Sequence, residues 1–420
     1  LAVYAALWPA SAEAPPPQAT KRLTLERALA LALAHNPELR AAAARVQAAA
    51  GQASQARLWP NPELELAAED WPVDRAGVSD AKRTLGLTQT LPFPGKKKLE
   101  ARIGQAAVRA AEADLALRRI ELVRDVKLAF VQVLAAQERL TVAAQLVQLA
   151  QAAARAAQLR VQTGAAADQE QLRAEVALER ARIEQAALER ELATARHSLA
   201  VLLGRPDLED APVVGALAES VDLARLHPPP EGGLATHPAL HAARTTQERA
   251  ELELRRARLE PYPDLRLGVA GGREGGAAGA SILEFRVALP LPIFDRSKGR
   301  RQQARANAAL AEADALALEH RLQLAGATAR QRLRTAAEQA TAYRERILPK
   351  ADQALRQVQR GFEQGKFGLT DLLDTQRAAA EARRAYVDTL LELNTAQAEL
   401  EALFGIPPAP LQPPLHPQTR

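Results

Sequence analysis

Gly361-Phe-Glu-Gln-Gly-Lys-Phe-Gly-Leu-Thr-Asp-Leu-Leu-Asp-Thr-Gln-Arg377 interrupts what is otherwise one continuous helical pattern. Gly361, Gly365 and Gly368 are the only helix breakers between Pro349 and Gly405. Glycine adopts the backbone angles of a tight turn and costs about 1 kcal/mol inside a helix. The stretch therefore reads as the tip of a long helical hairpin. A twin tip lies 201 positions earlier, at Gly164 in Arg160-Val-Gln-Thr-Gly-Ala-Ala-Ala-Asp-Gln-Glu-Gln-Leu172. The same shift carries Pro37 onto Pro238, Pro60 onto Pro261, Pro62 onto Pro263 and Gly204 onto Gly405. A shift that holds at so many punctuation points is an internal duplication, with units far longer than a solenoid repeat.

Working outward, Lys96 to Thr163 contains no proline and one glycine, Gly104. At 1.5 Å per residue this is a helix of roughly 100 Å. A helix of that length needs a partner along its whole course. Ala165 to Leu203 returns over about 60 Å, and Glu38 to Leu58 adds about 30 Å. Together the two shorter helices nearly match the long one. In the second copy the long helix runs from about Ser297 to Gln364, with a kink expected at Pro349. The return helix is Leu369 to Phe404. Its apolar seam reads Leu369, Leu373, Ala380, Val387 and Leu390 at a 3.5-residue period, with Gln376 and Arg383 interrupting it.

Between helices lie short alternating segments. Glu63 to Glu69 alternates leucine with glutamate, and Leu85 and Leu87 alternate with threonines until Leu91-Pro-Phe-Pro-Gly95. Period-two alternation fenced by prolines predicts strands. Asp264 to Ala270 and Ser281 to Leu289 repeat the pair, joined by the small-residue loop Gly271 to Ala280. The organisation is thus a leader over 1–22, repeats over 23–204 and 235–406, a Pro/Gly-rich linker over 205–234, and a Pro-rich tail over 407–420. A short helix, Leu25 to Ala34, opens the first repeat with Thr24 as its cap.

Composition agrees with this plan. Aromatics are 3% and the sequence is rich in Ala, Leu, Arg, Glu and Gln, as in closely packed long helices rather than a thick core. The net charge of +5 comes from interspersed acids and bases. No basic block is interleaved with aromatics, so no nucleic-acid partner is expected. The sequence holds no cysteine, so disulfides, thiolate metal sites and a lipid-modified N-terminal Cys are not expected. Leu1 to Trp8 followed by Ala12-Glu-Ala14 resembles the end of a secretory signal, and its missing basic start suggests truncation upstream. No run of 18 apolar residues offers a transmembrane helix. His237 and His241 share a metal-ligand spacing, but His237 precedes Pro238 and reads as a helix cap instead. No phosphate loop or local catalytic constellation is present. Neither an enzymatic activity nor a cofactor or metal is expected.

The duplicated order of helix, strand, loop, strand, long helix, glycine turn and return helix resembles the TolC-type outer-membrane efflux proteins. The strand exits Leu91-Pro-Phe-Pro-Gly95 and Leu289-Pro-Leu-Pro-Ile-Phe294 carry the likeness, with the spaced Asp371 and Asp374 after the second turn. His35-Asn-Pro-Glu-Leu39 and Leu58-Trp-Pro-Asn-Pro-Glu-Leu64 are similar to the heavy-metal branch. The resemblance covers about Leu23 to Pro407. It implies a mainly α fold with a small transmembrane β part. Three copies would each give four strands to one barrel in the outer membrane and their helices to a periplasmic α-barrel. It implies a homotrimer that works with a periplasmic adaptor and an inner-membrane pump of RND type. Anchoring would rest on the barrel and its contact with lipid alone. Substrate would be metal cations or small toxic compounds. A protein-secretion outlet and a structural coiled-coil protein are the rival readings; the latter would not need matched strand pairs.

Physics adds a reason for an oligomer, because four strands cannot close a barrel and open edges are not tolerated in lipid. Alternation puts Leu64, Leu66, Leu85, Leu87, Leu265, Leu267, Phe285 and Val287 toward lipid. Glu63, Glu65, Arg266, Glu284 and Arg286 then face a watery lumen. Trp59, Phe93 and Tyr262 sit at strand borders, where an interfacial girdle would lie. The tips around Gly164, Gly365 and Lys366 are the expected adaptor-docking points. Asp371 and Asp374 are the expected periplasmic gate. Their spacing puts both on one helix face, and threefold symmetry would make each a ring of carboxylates. The first-repeat equivalents, Glu170 and Arg173, would not form such a ring.

Overall fold

In the computed structural model the described residues are 22–70, 81–221, 237–275 and 279–404. The signal-like start, most of the loop at Asp70 to Lys82, the run Pro228 to Pro230 and the Pro-rich tail lie outside them. The first repeat contains α1 (Leu25–His35), α2 (Pro37–Arg57), β1 (Glu63–Glu69), β2 (Lys82–Leu91), α3 (Lys96–Gln162) and α4 (Asp168–Leu202). The second contains α5 (Pro238–Arg258), β3 (Leu265–Arg273), β4 (Ser281–Ala288), α6 (Lys298–Ala342), α7 (Leu348–Glu363) and α8 (Leu369–Phe404). No helix among the described residues is long and apolar enough to cross a membrane.

Alanine heptads explain how helices this long pair. Ala136, Ala143, Ala150 and Ala157 are buried on α3. Ala174, Ala181, Leu188 and Ala195 are buried on α4, which packs along it. A strict seven-residue repeat keeps the seam facing its partner as the helices supercoil, and small side chains let the axes approach closely. Only at mid-height is the core thick. There Phe130, Val126 and Leu134 of α3 meet Ala28 and Leu29 of α1, Leu199 of α4, Leu333 of α6 and Leu393 and Leu400 of α8. Lys127 and Glu401 form a buried ion pair in the same layer.

The inter-repeat segment 205–221 packs against this layer. Leu23 bridges Val213 in parallel, with its N–H donating to Pro212 O at 2.8 Å. Asn394 of α8 clamps the segment: its Nδ2 donates to Ala218 O and its Oδ1 accepts from Ala218 N, both at 3.1 Å. At Gly204, φ is +66° and a Cβ would stand 2.6 Å from His35 O, so the end of α4 can press against the α1–α2 corner only as glycine.

Two expectations shift in detail. The second long helix does not simply kink at Pro349. A π-helical turn, Tyr343–Ile347, precedes the proline, with Leu348 N–H bonding to Tyr343 O. Proline has no N–H for the next α-helical bond, and widening the helix by one residue accommodates the missing donor. On α8, Leu372 and Ala379 are buried where Leu373 and Ala380 were expected, and Gln376 is buried with them. Leu369, Val387 and Leu390 are buried as the seam required, so the heptad is one position out only at these two places.

The helix caps preserve the duplication. Asn36 Oδ1 accepts from the N–H groups of Glu38 and Leu39, ahead of Pro37. His237, its counterpart, accepts from Ala239 N–H at 3.2 Å through Nδ1, as its place before Pro238 suggested. Burial holds the His237 pKa below its ordinary value, while the nearby Glu121 carboxylate pulls the other way. The accepting nitrogen must be unprotonated, so this cap belongs to the neutral form. As pH falls through ~6.5 the unfolded chain takes up a proton first. The cap's contribution is therefore complete above that pH and lost as pH falls through the depressed native value. His237→Asn, which copies the first repeat, should flatten the acid-side fall in unfolding temperature between about pH 6.5 and 5. An unchanged profile in thermal denaturation followed by circular dichroism would exclude His237 as its source.

Candidate functional site

The four strands form one antiparallel sheet in the order β1-β2-β3-β4. Register sets its two faces. Leu64 pairs with Leu87, Leu87 with Val269 and Val269 with Phe285, so one apolar row crosses all four strands. Leu66 and Leu85 share this face with Leu265, Leu267, Leu283 and Val287. Its largest side chains stand bare: Leu66 is 78% exposed, Phe285 77% and Val287 71%. Contiguous exposed apolar surface of this kind marks a buried interface or a membrane. Glu63, Glu65, Arg266, Glu284 and Arg286 all lie on the opposite face, as the alternation required.

That polar face is concave. β1 and β4 are three strand spacings apart, about 14 Å in a flat sheet. Yet Arg286 of β4 reaches Glu65 of β1 at 3.1 Å, and Glu284 at 3.1 Å. The two side chains meet because the sheet curls toward them. Gly86 and Ala270, in the row between Glu65 and Glu284, leave room beneath. A Cβ on Gly86 would stand 3.0 Å from that of Ala270. Lys82 completes the network with Glu284 at 2.5 Å and Glu69 at 3.4 Å. Glu69 and Lys82 were not singled out from sequence, although both sit in phase with the polar positions. Glu63 and Arg266 make no ion pair among the described residues.

At its helical end the sheet is tied to the long helix across the repeats. Asp264 Oδ1 accepts from Phe93 N–H and from Lys96 Nζ, each at 2.8 Å. Phe93 and Tyr262 stack with ring centroids 4.7 Å apart. Trp59 borders β1 and is 60% exposed. All three aromatics meant for a girdle thus lie at the helix-proximal edge.

At the far end of α3 the two tips are the same turn. Gly164 and Gly365 each have φ +72°. Gly164 N–H bonds to Val161 O and Gly365 N–H to Phe362 O, both at 3.0 Å. Ala165 N–H bonds to Arg160 O and Lys366 N–H to Gly361 O, both at 2.7 Å. Such turns satisfy the last carbonyls of a helix and need a left-handed residue. Arg160 lies over the Phe362 ring at 5.2 Å and holds the tips side by side. Gly365 and Lys366 are exposed, and a Cβ at Gly164 or Gly365 would meet nothing within 4 Å. Phe367, which the sequence did not flag, lies against Gly361.

Asp371 and Asp374 are both exposed on the first turns of α8. They differ in role. Asp371 Oδ2 accepts from Gly368 N–H at 3.0 Å, so it caps its own helix. No hydrogen bond or ion pair holds the Asp374 carboxylate among the described residues. The first-repeat equivalent of Asp371, Glu170, has a buried Oε2 without a partner. The first-repeat equivalent of Asp374 is Arg173, so the two hairpin starts carry opposite charge at that position. No group of three metal-ligating side chains occurs among the described residues.

The family described as "Outer membrane efflux protein" matches residues 28–205 and 231–406. The cobalt-zinc-cadmium resistance protein CzcC of Cupriavidus metallidurans is 32% identical over 395 residues, covering 93% of this chain and 92% of the relative. A membrane protein from Pseudomonas aeruginosa superposes with a TM-score of 0.79 at 23% identity, over 91% of this chain and 93% of that one. The channel CusC superposes with a TM-score of 0.77 at 19% identity, over 90% and 91%. At such identities the structural matches speak for the fold.

Proposed function

The chain belongs to the outer membrane efflux protein family, and on that premise we propose that it is the exit duct of a three-part export system for metal cations. Three copies, each giving the four strands of its sheet, form one twelve-stranded barrel. Closure removes the open edges of β1 and β4. β2 is 10 residues long and β3 is 9, the length a tilted strand needs to cross a bilayer. The bare leucine face meets lipid and the concave charged face lines water. Below it, α3 with α4 and α6 with α7 and α8 make the wall of a tube reaching across the periplasm. The tips at Gly164 and Gly365 meet a periplasmic adaptor, and an RND-type inner-membrane pump supplies the energy. The chain itself conducts passively and catalyses no reaction. The metal substrate is inferred from the cobalt-zinc-cadmium resistance relative.

The observation that carries this reading is the sheet: one face bare and apolar, the other charged and concave, with both edges open. Purified protein should run as a trimer in detergent and give ion conductance in planar bilayers. A monomer that stays soluble without detergent would sink the proposal.

Threefold symmetry turns the uncommitted Asp374 carboxylate into a ring of three, which favours cations. Asp371 shares its charge with a helix cap, so removing it also loosens the tip. Asp374→Asn should lower cation selectivity and block by multivalent cations severalfold, with trimer stability unchanged. Single-channel recordings that match the parent would remove Asp374 from the constriction.

A further inference from the structure

On the helical wall, α4 and α8 flank α3 and barely touch each other, which leaves a groove with α3 as its floor. It encloses a cavity of about 330 Å³. That is the lower end of the range for small-molecule sites, roughly 300–1,000 Å³. Its position on the wall is defined by α3. Gln137 donates to Val213 O on one side of the helix, while Arg139, two residues on, lines the groove. Residues two apart on a helix point about 200° apart, so the groove opens away from the 205–221 segment.

The floor is apolar, with Val142 and Leu146, and Leu373 adds an apolar wall. Polar groups are arranged unevenly around it. Arg139 ties Glu191 of α4, at 2.7 Å, to Asp388 of α8, at 2.6 Å. Arg384 pairs with Glu184 across the gap. These straps commit three carboxylates. Arg180 and Arg377 also line the groove and have no ion pair among the described residues. Among the described residues, Glu381 is the one uncommitted carboxylate facing them. Gln376 lines the same cavity at 4% exposure.

We propose that this groove binds a small amphipathic organic anion. The carboxylate sits on Arg180 and Arg377, where guanidinium groups make paired, charge-assisted bonds. The apolar body lies over Val142 and Leu146. The site is distinct from the tips and from the sheet, and it would let such anions bias how the α4 and α8 hairpins sit against α3.

The test uses the assembled full chain in amphipol and octanoate as the probe, followed by isothermal titration calorimetry. Saturable binding is expected. The double variant Arg180→Gln/Arg377→Gln should weaken it at least ~10-fold while eluting as the parent assembly. Octan-1-ol should bind at least ~10-fold more weakly than the acid. Absence of saturation in the millimolar range overturns the proposal, as does equal affinity in the double variant or for the alcohol. Binding is read without conductance, so this result and the export reading fail separately.

Discussion

Phe285→Arg should abolish trimer assembly in the outer membrane. Phe285 lies in the apolar row formed with Leu64, Leu87 and Val269, and it is 77% exposed on one chain. An arginine at the middle of a barrel's lipid face costs about 2–4 kcal/mol. Threefold symmetry triples that to roughly 6–12 kcal/mol, comparable with the whole stability of a domain. A surface reading predicts almost nothing, because exposed substitutions usually stay within about 0.5 kcal/mol. The control is Glu63→Arg, on the concave face of the same sheet. It should assemble normally and change only conductance and selectivity. Membrane fractionation followed by unheated gel electrophoresis distinguishes the two. Trimer yield for Phe285→Arg equal to that of the parent would mean that the bare face meets something other than lipid.

The same sheet shows why so much was legible. Period two is a strong code when one face must be apolar and the other charged, and a one-residue slip would have put Glu65 in lipid. The eight residues assigned to the lipid face share one face, and the five charged residues share the other. β1 and α8 begin and end where punctuation predicted them. The shift of 201 positions, visible at Gly164 and Gly365, reappears as identical hydrogen bonding in the two turns. Glycine and proline act locally, so their effects survive translation from sequence to structure.

What escaped depends on partners far away in the chain. Asn394 reads as an ordinary helix residue until Ala218, 176 positions away, comes against it. The segment 205–221 has the composition of a linker, yet Leu23 and the mid-height core hold it. Composition reports what a segment lacks, not what covers it. The charge network around Arg286 was half visible: alternation assigned the face, but only the curl of the sheet brings β4 to β1. On α8 the seam holds at Leu369, Val387 and Leu390 and is one position out at Leu372 and Ala379, because Leu372 and Leu373 are equally apolar and the choice rests on the neighbouring helices. The straps of Arg139 and Arg384 join three helices and have no signature within any one of them.

At the tips, a substitution series can separate turn formation from docking. Gly164 and Gly365 adopt φ +72°, a region where non-glycine residues cost of order 1–3 kcal/mol and asparagine is tolerated best. A Cβ at either position meets open space. Gly365→Asn should therefore keep the turn, the trimer and full export. Gly365→Trp costs more at this φ and projects a large ring outward from three tips at once. Its parent hairpin is anchored well away from the turn, by Phe362 and Leu369 buried against Ala157, so assembly should persist. Export should not, because end-on docking cannot close over the added bulk. Metal tolerance of cells carrying Gly365→Trp should fall to that of cells lacking the chain, with cross-linking to the adaptor lost. Gly361→Leu is the contrasting case. Its Cβ runs into the Phe367 ring, so it should disturb the tip itself and lower unfolding temperature as well. If Gly365→Trp keeps parental tolerance and cross-linking, then the glycine serves the turn alone and the adaptor meets another part of the wall.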